Sequence, residues 1–582
     1  MFLIAITKSK LNKGFGLQKS YKFKKGEFNV TVLTDDFLSY FLQDKKSFSN
    51  IESPRIAGKK ANNLIFSELR YDENINLIQI NQSTISGRPI YYHVNSKGEF
   101  FCSSHIVLLR KAGVKIKENK EVLPEFFVYR YVMPPRTLYK DIYKILNGNS
   151  IKVKLAKGKW KVVSTEKIKI RIPKNHVKDA PTKIFKKTCF LLDESIKKLN
   201  YPQKNISLLL SGGLDSSILC KLLQTNHGIK ITYSGGYPFE NHAQNVEKEY
   251  ALSAANALGT QHEYYEPIAK DYLSGLIEAI YRAEEPLHHL QSVIFYLLFK
   301  NKIRKEHDVL VCGFGADGIF GSELHQEIFR SDKIQWEILS HQPFIAMLDF
   351  ISRVSSRGKH FVQFLKTKAE RNVPLNNQKN TVWLSGRYGS EEWVCKHFKV
   401  NGQDIIKGRY NYFKSFESNS TYDILSIINF SGSTSVSESI LSKLAESNGK
   451  IIYYPFNSQS VLDYAFALDW KIKLKKSKNV LRNVARILKI PEFIITRKKS
   501  GFGLSYSSWA QKDGAFEPLV PLILKMFDEA EIRMMQSQDP KKAMIYWSMI
   551  NYGIWKRLFI NNEPMNKLLN ELNYELNRKK RG

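Results

Sequence analysis

The chain has 582 residues, 43% hydrophobic and 12% aromatic, which fits two or three globular domains with ample cores and excludes a disordered polypeptide. Its formal charge of +34 suits attraction to nucleic acid, an anionic membrane surface or an acidic ligand. The basic residues run along the whole chain, as a genome-wide bias toward Lys and Asn would place them, so charge alone selects no partner. No apolar run is long enough to span a membrane. Cys102, Cys189, Cys220, Cys312 and Cys395 are scattered without a CxxC pair, which points to reduced thiols in the cytoplasm and away from a structural zinc site.

The opening MFLIAI meets Lys8 and Lys10 too early for a signal-peptide core and reads as a first strand. Short β-type runs follow: FNVTVLT, NLIQIN, RPIYYHV, EFFCSS and SIKVKLA. GRPIYYHVNSKGEFFCSS predicts a hairpin turning at Asn95, Ser96, Lys97 and Gly98. LPEFFVYRYVMPPRTLYKDIYKILNGNSIKVK then predicts an amphipathic helix, a Pro-Pro loop and a further strand. A linker over 167–182 leads to a helix over 183–199.

The stretch SLLLSGGLDSSILCKLL, 207–223, carries the strongest chemical signal. A buried strand over 207–210 runs into a tight turn of Ser211, Gly212 and Gly213. From Asp215 onward Ile218, Leu219 and Leu222 give a helix an apolar face. A strand, a Gly-Ser turn and a helix N-terminus form an anion pocket, because backbone N–H groups and hydroxyls point outward and small residues allow close approach. The Lys of a Walker loop is absent. Residues 229–267 read as strand, glycine loop, helix and strand, so the sheet is mostly parallel. His262 in this unit is expected to be structural. DVLVCGFGADGIFGSE, 308–323, is a second buried strand ending in a glycine-rich turn. Ligands of open α/β sheets sit outside the carboxyl ends of the strands, so Asp215 and Asp317 are expected to converge on one magnesium ion. Residues 324–420 match no pattern. The basic stretch 353–371 within them is a solvated helical face or a docking surface. The C-terminal helix, ending in NRKKRG, is expected at the surface with a frayed tail.

SGGLDS matches the SGGxDS pyrophosphate loop (PP-loop) of ATPases that split ATP into AMP and pyrophosphate. The order of landmarks over 87–155, with Arg136, Thr137, Ile142, Leu146 and Gly148 on or near the pattern, resembles the N-terminal glutaminase-like domain of asparagine synthetases. Glu249, Tyr250, Ala251, Leu258, Gly259, Thr260 and His262 keep a further run of that family. YYPFNSQSVLDYAFALDW and KSKNVLRNVARILKIPEFIITRKKSGFG resemble its C-terminal segments. The resemblance implies an α/β protein: an Ntn-hydrolase-like stacked-sheet domain over 1–180, and a PP-loop ATP-pyrophosphatase parallel-sheet domain over 181–582 with an unmatched insertion at about 324–420. It further implies ATP bound by Ser211, Gly212, Gly213, Asp215, Ser216, Ser234 and Gly313, and Mg2+ on Asp215 and Asp317. Asp317 and Lys499 are the implied catalytic residues, the ammonium stabilising pyrophosphate and then the tetrahedral oxyanion. Lys478 and Arg497 rank below them as phosphate or structural contacts, and Lys498 is expected to face away.

Three departures steer the functional expectation. Phe2 stands where working glutaminases of this family carry the nucleophilic cysteine, and a phenyl ring cannot attack an amide. Phe314 replaces the Glu of asparagine synthetases and the Tyr of β-lactam synthetases, and Gly318 replaces the Glu after the Asp. The expected chemistry is adenylation of a carboxylate by Mg-ATP followed by amine attack, with AMP and pyrophosphate released. With no glutaminase, the amine is expected to come from the substrate itself, as in lasso-peptide macrolactam cyclases. The expected partners are a precursor peptide and, with it, a leader peptidase and a leader-recognition protein, with no nucleic acid and no membrane span. The alternatives are an asparagine synthetase-like amidotransferase using free ammonia on another carboxylate, a PP-loop RNA-modifying enzyme, and a catalytically silent binding protein.

Overall fold

The computed structural model describes residues 2–8, 19–25, 28–34, 47–51, 55–56, 59–60, 67–72, 75–85, 87–166, 170, 176–199, 201–237, 242–321, 325, 391–413, 416, 421–497 and 506–578. Lys498, Lys499, the 353–371 stretch and residues 579–582 of the basic C-terminal tail lie outside them.

The early β-type runs form two antiparallel sheets. One has six strands in the order Tyr143–Ile145, Ile90–Val94, Phe100–Ser103, Phe2–Thr7, Phe28–Thr34 and Lys19–Lys25. The other has five, in the order Lys159–Glu166, Ser150–Ala156, Leu77–Gln82, Ser67–Asp72 and Ser47–Ile51. Successive side chains of a strand point to opposite faces, and the first strand shows the consequence. Ile4 and Ile6 face the second sheet, where they pack with Ile78, Ile80, Ile151, Val153 and Trp160. Leu3 and Ala5 face the other way into the main core with Tyr91 and Phe101. The stacked-sheet expectation is therefore met. The predicted hairpin also forms: Ile90–Val94 pairs with Phe100–Ser103, and Gly98 N donates to Asn95 O at 3.0 Å.

The helix Leu123–Tyr129 corrects one expectation. It is buried along its whole length, not amphipathic. Its outer side is covered by residues distant in sequence, Phe127 meeting Trp393, Phe398 and Tyr552 at ring-centroid distances of 5.6, 5.4 and 5.8 Å. Trp393 and Phe398, from the 324–420 stretch, thus pack against the N-terminal half.

The second half is built on a five-stranded parallel sheet ordered Gln261–Tyr265, Ile231–Gly235, Ile206–Leu209, Val309–Val311 and Ile451–Tyr453. From Ile206–Leu209 the chain steps outward in one direction, then crosses back to place Val309–Val311 on the other side. That reversal makes the gap between these two strands the topological switch point, where doubly wound sheets open a crevice for ligands. Two adjacent carboxylates join the halves. Glu284 accepts from Ile106 N at 2.9 Å, Val107 N at 3.1 Å and Lys443 Nζ at 2.5 Å. Glu285 accepts from Lys144 Nζ at 2.7 and 2.8 Å and from the Tyr91 hydroxyl at 2.5 Å.

Candidate active site

The PP-loop leaves the sheet beside its neighbour, Leu210 N donating to Tyr233 O at 2.8 Å. Gly212 then adopts φ +70°, and a Cβ there would lie 2.4 Å from the Tyr250 carbonyl oxygen. Only glycine lets the loop press this closely on the helix His242–Leu258. Hydroxyls brace the turn: Ser211 Oγ lies 3.3 Å from Ser216 Oγ and accepts from Gly213 N at 3.3 Å, and Ser216 Oγ donates to Gly213 O at 3.2 Å. The helix Leu214–His227 starts at once, with Asp215 in its first turn, so its N-terminal N–H groups face the place where phosphate charge would sit.

The second loop closes on the first. Gly313 follows the strand Val309–Val311, and a Cβ on it would be 3.4 Å from both Asp215 Cβ and Ser216 N. Gly315, at φ +94°, starts the short helix Ala316–Phe320 and puts Asp317 in its first turn. Asp215 and Asp317 meet on one cation, Lys478. Its Nζ lies 2.5 Å from Asp215 Oδ2 and 2.6 Å from Asp317 Oδ1, with the lysine side chain only 10% exposed. Burial alone would lower the pKa of this ammonium, but Asp215 and Asp317 outweigh that and hold it above the usual lysine range. Lys478 takes a left-handed conformation, φ 53°, just before the helix Asn479–Ile487. Sequence reasoning placed it in the second rank. The available signal was that two converging carboxylates need a counter-charge.

The pair also fits a divalent cation. Among the described residues Asp215 Oδ1 is buried with no hydrogen-bond partner, and Asp317 is nearly half exposed. Among the described residues no cluster of three or more His, Cys, Asp or Glu offers a metal cage. Two carboxylates at an anion-binding loop suit magnesium that takes its other ligands from phosphates and water.

Arg497 guards the outer side of the PP-loop. Its guanidinium stacks on the Tyr250 ring at 3.9 Å, pairs with Glu247, and donates to Ser211 O at 3.4 Å. Ser234, at the end of the adjacent strand, is hydrogen-bonded to His262 Nε2 at 2.7 Å, while Thr232 Oγ1 lies 2.9 Å from His262 Nδ1. Burial lowers the His262 pKa to about 4, so it is a neutral ring held between hydroxyls. Phe314 packs edge-on against Phe295 at 6.3 Å. Gly318 lies against Asn429 and Phe430, with its carbonyl accepting from Ser426 Oγ at 2.5 Å. The two polar groups that the resemblance leads one to expect are thus replaced by an apolar contact and a bare backbone.

A cavity lined by Arg130, Arg136, Lys144 and Glu285 lies where the halves meet, and none of its lining residues belongs to the loops that hold Asp215 and Asp317. Among the described residues no helix is long and apolar enough to cross a membrane.

Comparison with known proteins agrees with this geometry. The asparagine synthase family pattern matches residues 190–538, and a glutamine amidotransferase domain pattern matches residues 60–163. Asparagine synthetase [glutamine-hydrolyzing] 1 of Bacillus subtilis is 24% identical over 476 residues, which cover 77% of this chain and 69% of that protein. A putative asparagine synthetase [glutamine-hydrolyzing] of Mycobacterium tuberculosis is 23% identical over 261 residues, 44% of this chain and 38% of its own length. The match over 190–538 spans more than half of the sequence and takes in both carboxylates, Lys478 and the sheet that carries them. On that ground the chain belongs to the asparagine synthase family, whose members are ATP-dependent amide-forming ligases.

Proposed function

We propose that the protein makes an amide by activating a carboxylate with ATP, releasing pyrophosphate and then AMP. The observation that carries this is the meeting of Asp215, Asp317 and Lys478 at the switch point of the parallel sheet, beside a loop shaped for phosphates. The N–H groups and hydroxyls of 211–216 hold the phosphates, and Arg497 keeps the loop in place from behind. Magnesium on Asp215 and Asp317 would neutralise phosphate charge as the α-phosphate is attacked. Lys499, two positions beyond Arg497, is the proposed electrostatic partner of the leaving pyrophosphate and of the oxyanion formed when the amine adds.

The substrate reading that the relatives favour is asparagine synthetase-like: amidation of a small carboxylate such as aspartate. The described cysteines support a supply of free ammonia in place of glutamine hydrolysis. Cys102, Cys220 and Cys312 are buried, and burial pushes the Cys220 and Cys312 thiols up to about 12, far from an activated nucleophile. Phe314 favours a second reading, in which the acceptor amine belongs to the substrate. Its apolar packing leaves out the side chain that asparagine formation uses in the family, and suits a lasso-peptide cyclase that joins an Asp or Glu side chain of a precursor peptide to its N-terminal amine. A leader peptidase and a leader-recognition protein would then be partners.

One assay separates the readings. The protein is incubated with Mg-ATP and aspartate plus ammonium chloride, aspartate plus glutamine, or the leaderless product of a neighbouring short gene, and AMP and product mass are followed. AMP with asparagine from ammonium alone is the expected result. AMP with a peptide lighter by one water would move the assignment to the cyclase. ADP, or no nucleotide cleavage under any condition, would overturn carboxylate adenylation.

A further inference from the structure

The two carboxylates proposed for magnesium are already joined by the protein's own cation. An ammonium 2.5 Å from Asp215 Oδ2 and 2.6 Å from Asp317 Oδ1 engages the same two residues that would hold a divalent ion. Two carboxylates brought this close repel one another, and Asp215, whose side chain is only 15% exposed, costs heavily to bury without a counter-charge. Lys478 removes that cost and keeps the PP-loop and the Asp317 helix in register. It reaches the pair from a third element, the turn before Asn479–Ile487, on a long flexible stem. A phosphate group entering at the helix N-terminus would offer the ammonium a new partner within the same crevice.

We infer that Lys478 is a tethered stand-in for the metal: it occupies the Asp215–Asp317 pair in the nucleotide-free protein and is exchanged for magnesium only when ATP supplies both the metal and phosphates to receive the ammonium. The exchange rests on the reading of this site as an ATP site. In the resting protein the pair is closed to free divalent ions, so metal and nucleotide enter together. Lys478 is on this account a positioning residue, acting through the two carboxylates.

The test titrates Mn2+ alone into the full chain, with free Mn2+ read by electron paramagnetic resonance. Nucleotide-free wild type is expected to show no tight site, and Lys478→Gln is expected to gain one, with affinity higher by on the order of tenfold or more, as for two ligands competing for one locus. Lys478→Arg, which keeps a cation between the carboxylates, is expected to behave like wild type, and Lys478→Gln combined with Asp317→Asn is expected to lose the gained site. Equal Mn2+ affinity in wild type and Lys478→Gln would overturn the inference. If Lys478→Gln does not fold, wild type still decides: a tight nucleotide-free Mn2+ site that vanishes in Asp215→Asn contradicts the stand-in, and its absence until ATP is added supports it. The titration contains no acyl substrate, so a failure to form AMP sinks the proposed function without touching this result, and equal affinities sink the stand-in alone.

Discussion

Asn457 donates through Nδ2 to both carboxyl oxygens of Glu438 at 2.9 Å, in a core where both residues are fully buried. Asn147, from the N-terminal half, adds a third hydrogen bond at 2.8 Å. Asn457 also lies against the Asp317 loop, since a Cβ on Gly315 would be 2.2 Å from its Oδ1. A contact chain therefore runs from the N-terminal half through Glu438 to the backbone that carries Asp317.

Burial outweighs the amide donors and raises the Glu438 pKa to about 8, so the group is a neutral acid at pH 7. Between its unfolded value of 4.5 and about 8 the folded protein keeps a proton that the unfolded chain has released. The stability this provides is complete below the lower value and is lost as pH rises through the upper one. Glu438→Gln, neutral at every pH, is expected to lose less melting temperature than wild type between about pH 5 and about pH 9. Parallel melting curves across that range would show that Glu438 is ionised in the fold.

Gly212 and Gly449 share φ +70°, but among the described residues a Cβ meets a neighbour within 4 Å at Gly212, the Tyr250 carbonyl, and none at Gly449. Gly449→Ala should therefore cost only the conformational strain, about 1–3 kcal/mol. Gly212→Ala should cost more and should alone abolish binding of a fluorescent ATP analogue. Equal effects on stability and binding would mean that the PP-loop can shift away from the helix behind it.

Lys443 and Glu284 are a buried pair with side chains 1% and 3% exposed. Removing the lysine leaves a carboxylate without its counter-charge. Lys443→Met is expected to destabilise the protein by about 3–5 kcal/mol in denaturant unfolding, with much of the loss recovered on adding Glu284→Gln. The same double variant tests whether the halves unfold together, because Glu284 also caps the helix Ile106–Lys111.

Arg497 stacks, pairs and donates at once, which lysine cannot reproduce. Arg497→Lys should raise KM for ATP by about tenfold, equivalent to about 1.4 kcal/mol, with kcat changed less. A fall in kcat at constant KM would place Arg497 at the chemical step instead of in support of the loop.

Much of this was legible in the sequence because local patterns agreed with the global fold. SLLLSGGLDSS specified strand, turn and helix within a residue or two, since periodicity and glycine chemistry act locally. The pairing of Asp215 with Asp317 followed from the rule for carboxyl ends of strands. Lys478 ranked only as a phosphate or structural contact, because nothing in KSKNVLRN says that this lysine turns inward to bridge two carboxylates. The burial of Leu123–Tyr129 was equally hidden. Its cover comes from Trp393, Phe398 and Tyr552, hundreds of positions away. Nothing in the sequence around Glu438 marks it as buried, and only the fold brings Asn147 and Asn457 to it.

The central claim, that a carboxylate is adenylated at the Asp215–Asp317 pair, has a direct test. Aspartate labelled with 18O in both carboxyl groups is supplied with ammonium and Mg-ATP, and the AMP produced is weighed by mass spectrometry in wild type and in Asp317→Asn. An acyl-adenylate requires one labelled oxygen to leave with AMP, and its formation should fall sharply in the variant. Amide product accompanied by unlabelled AMP, or by ADP and phosphate, would contradict the account.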